Sequence, residues 1–136
     1  MHTAIVLIAH GSRRAEANAE LVQLAEKVRE QRSDCLVAPA FLELAEPSIP
    51  AAVRDCIEQG AQRVLLFPYF LSSGVHVTRD LEEFRRRFAD EHPTVEFRLA
   101  RPLGAHPGIP SLVLELLQTD ADATAGDADP RRSPQS

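Results

Sequence analysis

Several residue types are scarce in this chain of 136 residues, and each scarcity disfavours a class of protein. There is no Trp, and aromatic residues make up only 5% of the sequence, too few for the stacking surface that binds single-stranded nucleic acids. The net charge of −5 also disfavours a phosphate backbone as partner. No apolar run approaches the roughly 20 residues that a membrane-spanning helix needs. We therefore expect no nucleic-acid partner and no membrane insertion.

Cysteine is also rare. Cys35 and Cys56 are the only two cysteines, and they lack the C-x-x-C spacing of metal and redox motifs. No basic segment followed by an apolar stretch, as in an export signal, precedes the first apolar run. The expected location is therefore the cytoplasm, where two isolated thiols are expected to be reduced residues of the core.

The remaining composition is that of one globular domain. A chain of this length with 44% hydrophobic residues suffices for one core and not for two. Short, unbroken apolar runs such as 3–9 and 63–67 predict strands that are buried on both faces. From residue 119 the apolar periodicity ends and small, acidic and Pro residues dominate. We expect a folded domain over residues 1–118 and a disordered tail over 119–136.

Strands that alternate with amphipathic helices predict an α/β fold with a parallel sheet and right-handed crossovers. The predicted strands are 3–9, 35–42, 63–67 and 95–99, and Pro39 indicates that the second lies at an edge. The simplest order is 2-1-3-4 with helices on both faces, as in flavodoxin-like folds. In this order strands 1 and 3 are neighbours whose connections leave in opposite directions. Ligands bind at such a switch point.

Two histidines lie at the predicted switch point. His10 follows the first strand, and His76 closes the loop 68–76 that follows the third. A single histidine is often a surface or core residue, but two placed independently at one sheet edge favour a shared ligand site. Neutral imidazoles bind divalent Co, Fe, Ni and Zn, and two of them leave coordination positions open. Such a site suits a metal that is handed on, and an imidazole can also accept a proton.

The polar residues near these histidines have both structural and functional interpretations. Gly11 and Ser12 fit a tight turn that caps a helix, and the amides there also suit an anion. The segment 72–74 fits a flexible turn, yet its small side chains would let a flat ligand approach. Glu43 and Glu46 are either solvated loop carboxylates or groups that attract a cation. Four arginines near strand ends and helix starts are candidates for pairing with acidic substrate groups: Arg13, Arg14, Arg79 and Arg101.

Four sequence blocks occur in a specific order. They are LIAHGSR at 7–13, FLELAEPS at 41–48, FPYFLSSGVHVTRD at 67–80 and ARPLG at 100–104. Together, over residues 3–117, they resemble the small sirohydrochlorin chelatases of the CbiX type, which are related in fold to ferrochelatases. The ordered set is specific, whereas a lone His-Gly-Ser would not be.

The resemblance implies an enzyme that inserts Co²⁺, Fe²⁺ or Ni²⁺ into sirohydrochlorin in cobalamin or siroheme biosynthesis. It implies that His10 and His76 hold the metal, that His10 also accepts a proton, and that the loop 71–76 and a position near Glu46 contact the macrocycle. The metal is then a substrate, and no organic cofactor is needed. With the candidates named above, the predicted substrate-binding residues are Leu71, Ser72, Ser73, Gly74, Val75, His76, Ser12, Glu43 and Glu46.

The resemblance also bears on assembly, because some relatives are double-length chains that hold two such domains. A single copy is therefore expected to form a homodimer. Two other functions stay open. Histidine-based phosphoryl transfer would use His10 and Gly11, although phosphohistidine phosphatases carry Arg at the position of Ala9. A non-catalytic metal or tetrapyrrole carrier would use the same cleft without changing the absorption spectrum of the ring over time.

Overall fold

A computed structural model describes residues 2–72 and 74–125, of which 120–125 are described by their backbone alone. Within these residues four parallel strands form one sheet of order β2-β1-β3-β4. The strands are β1 Thr3–Ala9, β2 Cys35–Phe41, β3 Arg63–Pro68 and β4 Glu96–Leu99. The helices are α1 Ala15–Gln31, α2 Ile49–Glu58, α3 Val75–Glu91 and α4 Ile109–Ala125, with a 3-10 turn at Leu103–Ala105. The predicted flavodoxin-like fold, its strand order and the edge position of β2 are confirmed.

The sheet is covered on both faces because alternate side chains of its strands enter two separate cores. Val6 and Val64 belong to the core on the side of α2 and α3, together with Leu81. Leu7 belongs to the core on the opposite face, where it packs with Leu21 of α1. The central strand β1 is thus buried on both sides, which is why its sequence shows no polar alternation. Its carboxyl end emerges between the loops that follow β2 and β3.

The starts of α2 and α3 determine which residues remain in the loops. Ser48 Oγ accepts a hydrogen bond from Ala51 N at 3.2 Å and caps α2. Helix α3 begins at Val75 with Gly74 as its extended N-cap residue. His76 therefore lies in the first turn of α3, and its predicted place at the end of the loop is wrong. The loop between β3 and α3 is therefore shorter than expected.

Both cysteines lie in the core, as predicted. They are free thiols, and Cys56 is only 1% exposed. Burial raises the pKa of the Cys56 thiol to about 11, because a thiolate would lose its hydration there. Cys56 is therefore a protonated, apolar packing residue at neutral pH.

A second unit begins at His106. In it, Gly108 N donates a hydrogen bond to His106 Nδ1 at 2.8 Å, just before α4. Residues 119–125, which fall in the predicted tail, belong to this helix, and their Ala residues favour it. Residues 126–136 lie outside the described residues, so the division at 118 stays a prediction.

In the described part of the chain, no helix is long and apolar enough to cross a membrane.

Candidate functional site

His10 lies directly after β1 and is exposed. Its ring contacts the ring of Phe70, with 4.8 Å between the centroids and an angle of 33° between the planes. Phe70 itself is only 7% exposed and follows β3, the neighbour of β1. The buried phenyl ring therefore supports the imidazole from one side. This contact joins the loops after β1 and β3, as the strand order predicts.

Gly11 allows the loop after β2 to pack directly against His10. Its φ is +96°, and a Cβ at this position would lie 1.7 Å from Glu43 O. Glu43 N donates a hydrogen bond to His10 O at 3.0 Å, and Leu42 N donates one to Ala9 O at 3.0 Å. Only glycine fits both this backbone conformation and this separation. Gly11 thereby brings Glu43 beside His10.

Ser12 is held by a residue that the sequence pattern does not single out. Ser12 N donates to Asn18 Oδ1 at 2.9 Å, and Asn18 Nδ2 donates to Ser12 O at 2.7 Å. Ser12 Oγ accepts from Arg14 N at 3.0 Å, and Arg14 is the N-cap residue of α1, without a side-chain cap bond. Ser12 is therefore not the cap of α1. Its two bonds with Asn18 fix the turn that follows His10.

His10 and Glu43 line a cleft of about 380 Å³ that borders α3. The other lining residues are Leu42, Val77, Asp80, Glu83, Phe84 and Arg87. The cleft is thus lined by three carboxylates, one guanidinium and one imidazole, while Leu42, Val77 and Phe84 supply apolar walls. An excess of negative charge in a cleft raises the local concentration of cations. The arrangement suits the capture of a divalent metal near His10.

His76 shares one face of α3 with residues of this cleft. It precedes Asp80, Glu83 and Arg87 at intervals of four, seven and eleven residues, which place all four on one side of a helix. The last three line the cleft, so His76 stands at the amino-terminal end of the face that borders it. His76 is exposed and free to bind a ligand. Asp80, Glu83 and Arg87 were not predicted as site residues, and their helical spacing from His76 is the one sign of them in the sequence.

The other predicted site residues lie in the loops on either side of His10. Leu71, Ser72 and Gly74 are exposed in the β3–α3 connection, and Val75 is exposed at the first position of α3. Ser73 lies outside the described residues. Gly104 supports this connection, because its N donates to Phe70 O at 3.0 Å. A Cβ on Gly104 would lie 1.5 Å from Leu71 O, so no larger residue fits there.

Glu46 and the four candidate arginines do not line the cleft of His10. Glu46 lines a separate groove of about 370 Å³ formed by the β2–α2 loop, and it does not line the cleft of His10. Arg79 lines a groove on the neighbouring face of α3 together with Val75. All four candidate arginines are exposed. Their charges are available to an acidic ligand.

The described residues do not form a closed metal site. Among residues 2–72 and 74–125, no three His, Cys, Asp or Glu side chains are grouped so that they could hold a metal ion. A structural zinc site uses four protein ligands. The two histidines at the switch point are therefore candidates for an open site, in which other ligands complete the coordination.

The fold defines a small α/β protein with a flavodoxin-like sheet and a cleft at its switch point. The CbiX family model matches residues 4–120, and the chain belongs to this family. The expected family resemblance is confirmed. A sirohydrochlorin cobaltochelatase from Methanocaldococcus jannaschii is 44% identical over 65% of this chain and 62% of its own length.

Two solved structures show the same fold. A CbiX protein from Marinobacter aquaeolei VT8 matches with a TM-score of 0.78 and 31% identity, over 89% of this chain and 98% of the other. The sirohydrochlorin chelatase SirB from Bacillus subtilis subspecies spizizenii, in complex with cobalt, matches with a TM-score of 0.77 and 28% identity, over 88% of this chain and 51% of SirB. The chain spans 37% to 62% of the length of four curated relatives.

Proposed function

We propose that this protein inserts a divalent metal ion into sirohydrochlorin. The observation that carries the proposal is the acidic cleft at the switch point, with His10 in its wall and His76 on the bordering face of α3. Membership of the CbiX family and relatives named as sirohydrochlorin cobaltochelatases and ferrochelatases support the same reaction. The metal, Co²⁺, Fe²⁺ or Ni²⁺, is a substrate.

In the proposed mechanism, the carboxylates of the cleft attract the metal, and His10 and His76 hold it. The macrocycle lies over the switch point, and its nitrogens displace the imidazoles from the metal one at a time. Once His10 has left the metal, its freed ring nitrogen accepts one pyrrole proton, and the second pyrrole proton passes to solvent, so that two protons leave the ring for each metal that enters. Chelation by four nitrogens supplies the driving force, so the protein mainly positions the reactants and accepts a proton. This order of events needs no organic cofactor.

The loops on either side of His10 are proposed to bind the macrocycle. The groups assigned to it are Leu71, Ser72, Ser73, Gly74, Val75, His76, Ser12, Glu43 and Glu46. Sirohydrochlorin carries several carboxylates, and guanidinium groups bind carboxylates strongly. Arg79 lines a groove beside Val75, which favours it among the four candidate arginines.

A spectrophotometric assay tests the proposal. We expect sirohydrochlorin mixed with Co²⁺, Fe²⁺ or Ni²⁺ to change its absorption spectrum over time faster when the protein is present, at a rate proportional to protein concentration. Comparing kcat/KM for the three metals identifies the preferred one. Binding of the ring without an accelerated spectral change would instead identify a carrier. Phosphate release from a phosphorylated donor, without metal insertion, would favour the phosphoryl-transfer alternative.

We also propose that the protein is a homodimer in the cytoplasm. The reduced, buried thiols Cys35 and Cys56 fit a reducing compartment. Helix α4 supports the dimer because its apolar residues are 49% to 67% exposed: Leu112, Val113, Leu114, Leu116 and Leu117. At 100° per residue they span more than half of the helix circumference, whereas a stripe of about 100° suffices to pack on one neighbour. A second copy can cover the rest.

Light scattering tests the dimer. We expect a mass of about twice the 15.0 kDa of the chain for the native protein, and a shift toward the monomer mass for L114E, because a charge in an apolar interface is costly. V22E is the matched control, since Val22 is also an exposed apolar residue on a helix. A native mass of one chain, or an equal shift in both variants, would contradict the proposal.

A further inference from the structure

Leu44 combines a strained backbone with an exposed apolar side chain. Its φ is +64°, and among the described residues it is the only one other than glycine with a positive φ. This left-handed conformation is unfavourable for a branched side chain. The side chain is 56% exposed, so burial in the core does not compensate for the strain. Residues held in this way are concentrated at functional sites.

The loop that carries Leu44 is fixed at both ends. Phe41 N donates to Pro47 O at 2.9 Å and closes the loop on itself, while Glu43 N donates to His10 O at 3.0 Å. These bonds hold the backbone around Leu44 in place against the turn of His10. Leu44 lines the groove of the β2–α2 loop, and its neighbour Glu43 lines both this groove and the cleft of His10. Leu44 is therefore presented to solvent at the edge of the candidate site by a rigid support.

Exposed apolar side chains also occur on the other side of His10. Leu71 is 74% exposed, Val75 70% and Tyr69 38%, and all three follow β3. Because β1 lies between β2 and β3, Leu44 and this group flank His10 from opposite sides. Strands spaced by about 4.8 Å place the loops of β2 and β3 roughly 10 Å apart. A broad, flat, largely apolar ring centred over His10 would reach both groups.

We infer that Leu44 contacts the apolar part of the tetrapyrrole ring and sets the affinity of the protein for it. The inference rests on the proposed function, and it adds an apolar contact to the two carboxylates, Glu43 and Glu46, already assigned to the macrocycle in the β2–α2 loop. Leu44 determines the KM for the macrocycle. It is not a catalytic residue, because it has no group that binds the metal or accepts a proton.

Substitution by glycine tests this role, because glycine adopts positive φ without strain and removes the side chain. For L44G we expect the KM for sirohydrochlorin, with Co²⁺ as second substrate, to rise about tenfold, with kcat within about twofold. The thermal unfolding midpoint should be unchanged or raised by a few degrees. L44N should behave in the same way, because asparagine also adopts positive φ readily. L44M keeps a large apolar side chain, and its KM should stay close to that of the native protein.

V22A is the matched control, because it removes an exposed apolar side chain of α1 outside the cleft, and its KM should equal that of the native protein. An unchanged KM in L44G and L44N overturns the inference. A lowered unfolding midpoint in both variants also overturns it, since it would show that Leu44 stabilises the fold. An inactive native protein would instead refute the proposed function, so the two failures are distinguishable.

Discussion

Replacing His10 by Ala is expected to lower kcat for metal insertion about 100-fold or more while leaving the fold intact. Loss of a positioned proton acceptor alone reduces rates by about 10² to 10⁴, and the proposed site also loses one of its two metal-binding imidazoles. The side chain is exposed, so its removal should change the free energy of unfolding by only about 0.5 kcal/mol. Initial rates in the Co²⁺ assay and urea unfolding measure both quantities.

Two further variants separate the roles of the histidines. H76A should raise the KM for Co²⁺ more than it lowers kcat, because His76 is proposed to hold the metal without accepting the proton. H106A is the control, since His106 is exposed and does not line the cleft; its kinetics should match those of the native protein. Near-normal turnover in H10A would remove the proposed role of His10. An equal loss in H106A would show that the effect is not specific to the cleft.

The fold was largely predictable because its decisive residues are buried from two sides. β1 and β3 read as unbroken apolar runs, which a strand between two helical layers requires. With four strands and right-handed crossovers, only a few strand orders are possible. Pro39 cannot donate a hydrogen bond within the sheet, which indicates that β2 lies at an edge. The position of His10 follows from these constraints, because it is the first residue after the central strand.

The walls of the cleft were less predictable because they depend on packing between elements distant in sequence. Asp80, Glu83 and Arg87 read as the solvated face of a helix, and only the rotation of α3 on the sheet brings them toward Glu43. The prediction places His76 in the loop because the apolar stripe of the helix begins at Val77. Gly74 is a weak signal for the true start, since glycine is only modestly enriched at the N-cap position. Such boundaries are set by tertiary contacts.

Two backbone features near His10, one in the turn that follows it and one in the β2–α2 loop, could not be predicted for another reason. The bonds between Asn18 and Ser12 need the turn that the positive φ of Gly11 creates, and the positive φ of Leu44 needs a loop already closed on itself. Both features depend on a backbone conformation that forms only in the folded protein. Sequence patterns reflect the average conformational preferences of each residue type, and the positive φ of Leu44 is far from the average for leucine.

Gly11 is the position at which fold and site are most closely linked, and G11A is expected to damage both. The variant must adopt an unfavourable φ, and its Cβ must displace Glu43 O from a separation of 1.7 Å. The backbone conformation costs about 1–2 kcal/mol and overpacking about 1–3 kcal/mol, so we expect the free energy of unfolding to fall by about 2–5 kcal/mol. Insertion of Co²⁺ should slow about 100-fold, because a shift of His10 by about 1 Å is sufficient for such a loss.

Gly60 provides the matched control for that substitution. Its φ of +102° is nearly the same, but a Cβ there would meet nothing within 4 Å. G60A therefore isolates the cost of the backbone conformation, about 1–2 kcal/mol, and should leave the insertion rate unchanged. Urea unfolding gives the free energy of unfolding of both variants, provided that the m value is unchanged. The difference between the two free energies is the cost of moving the Glu43 loop. Equal destabilisation, or full activity in G11A, would mean that the loop yields freely and does not position His10.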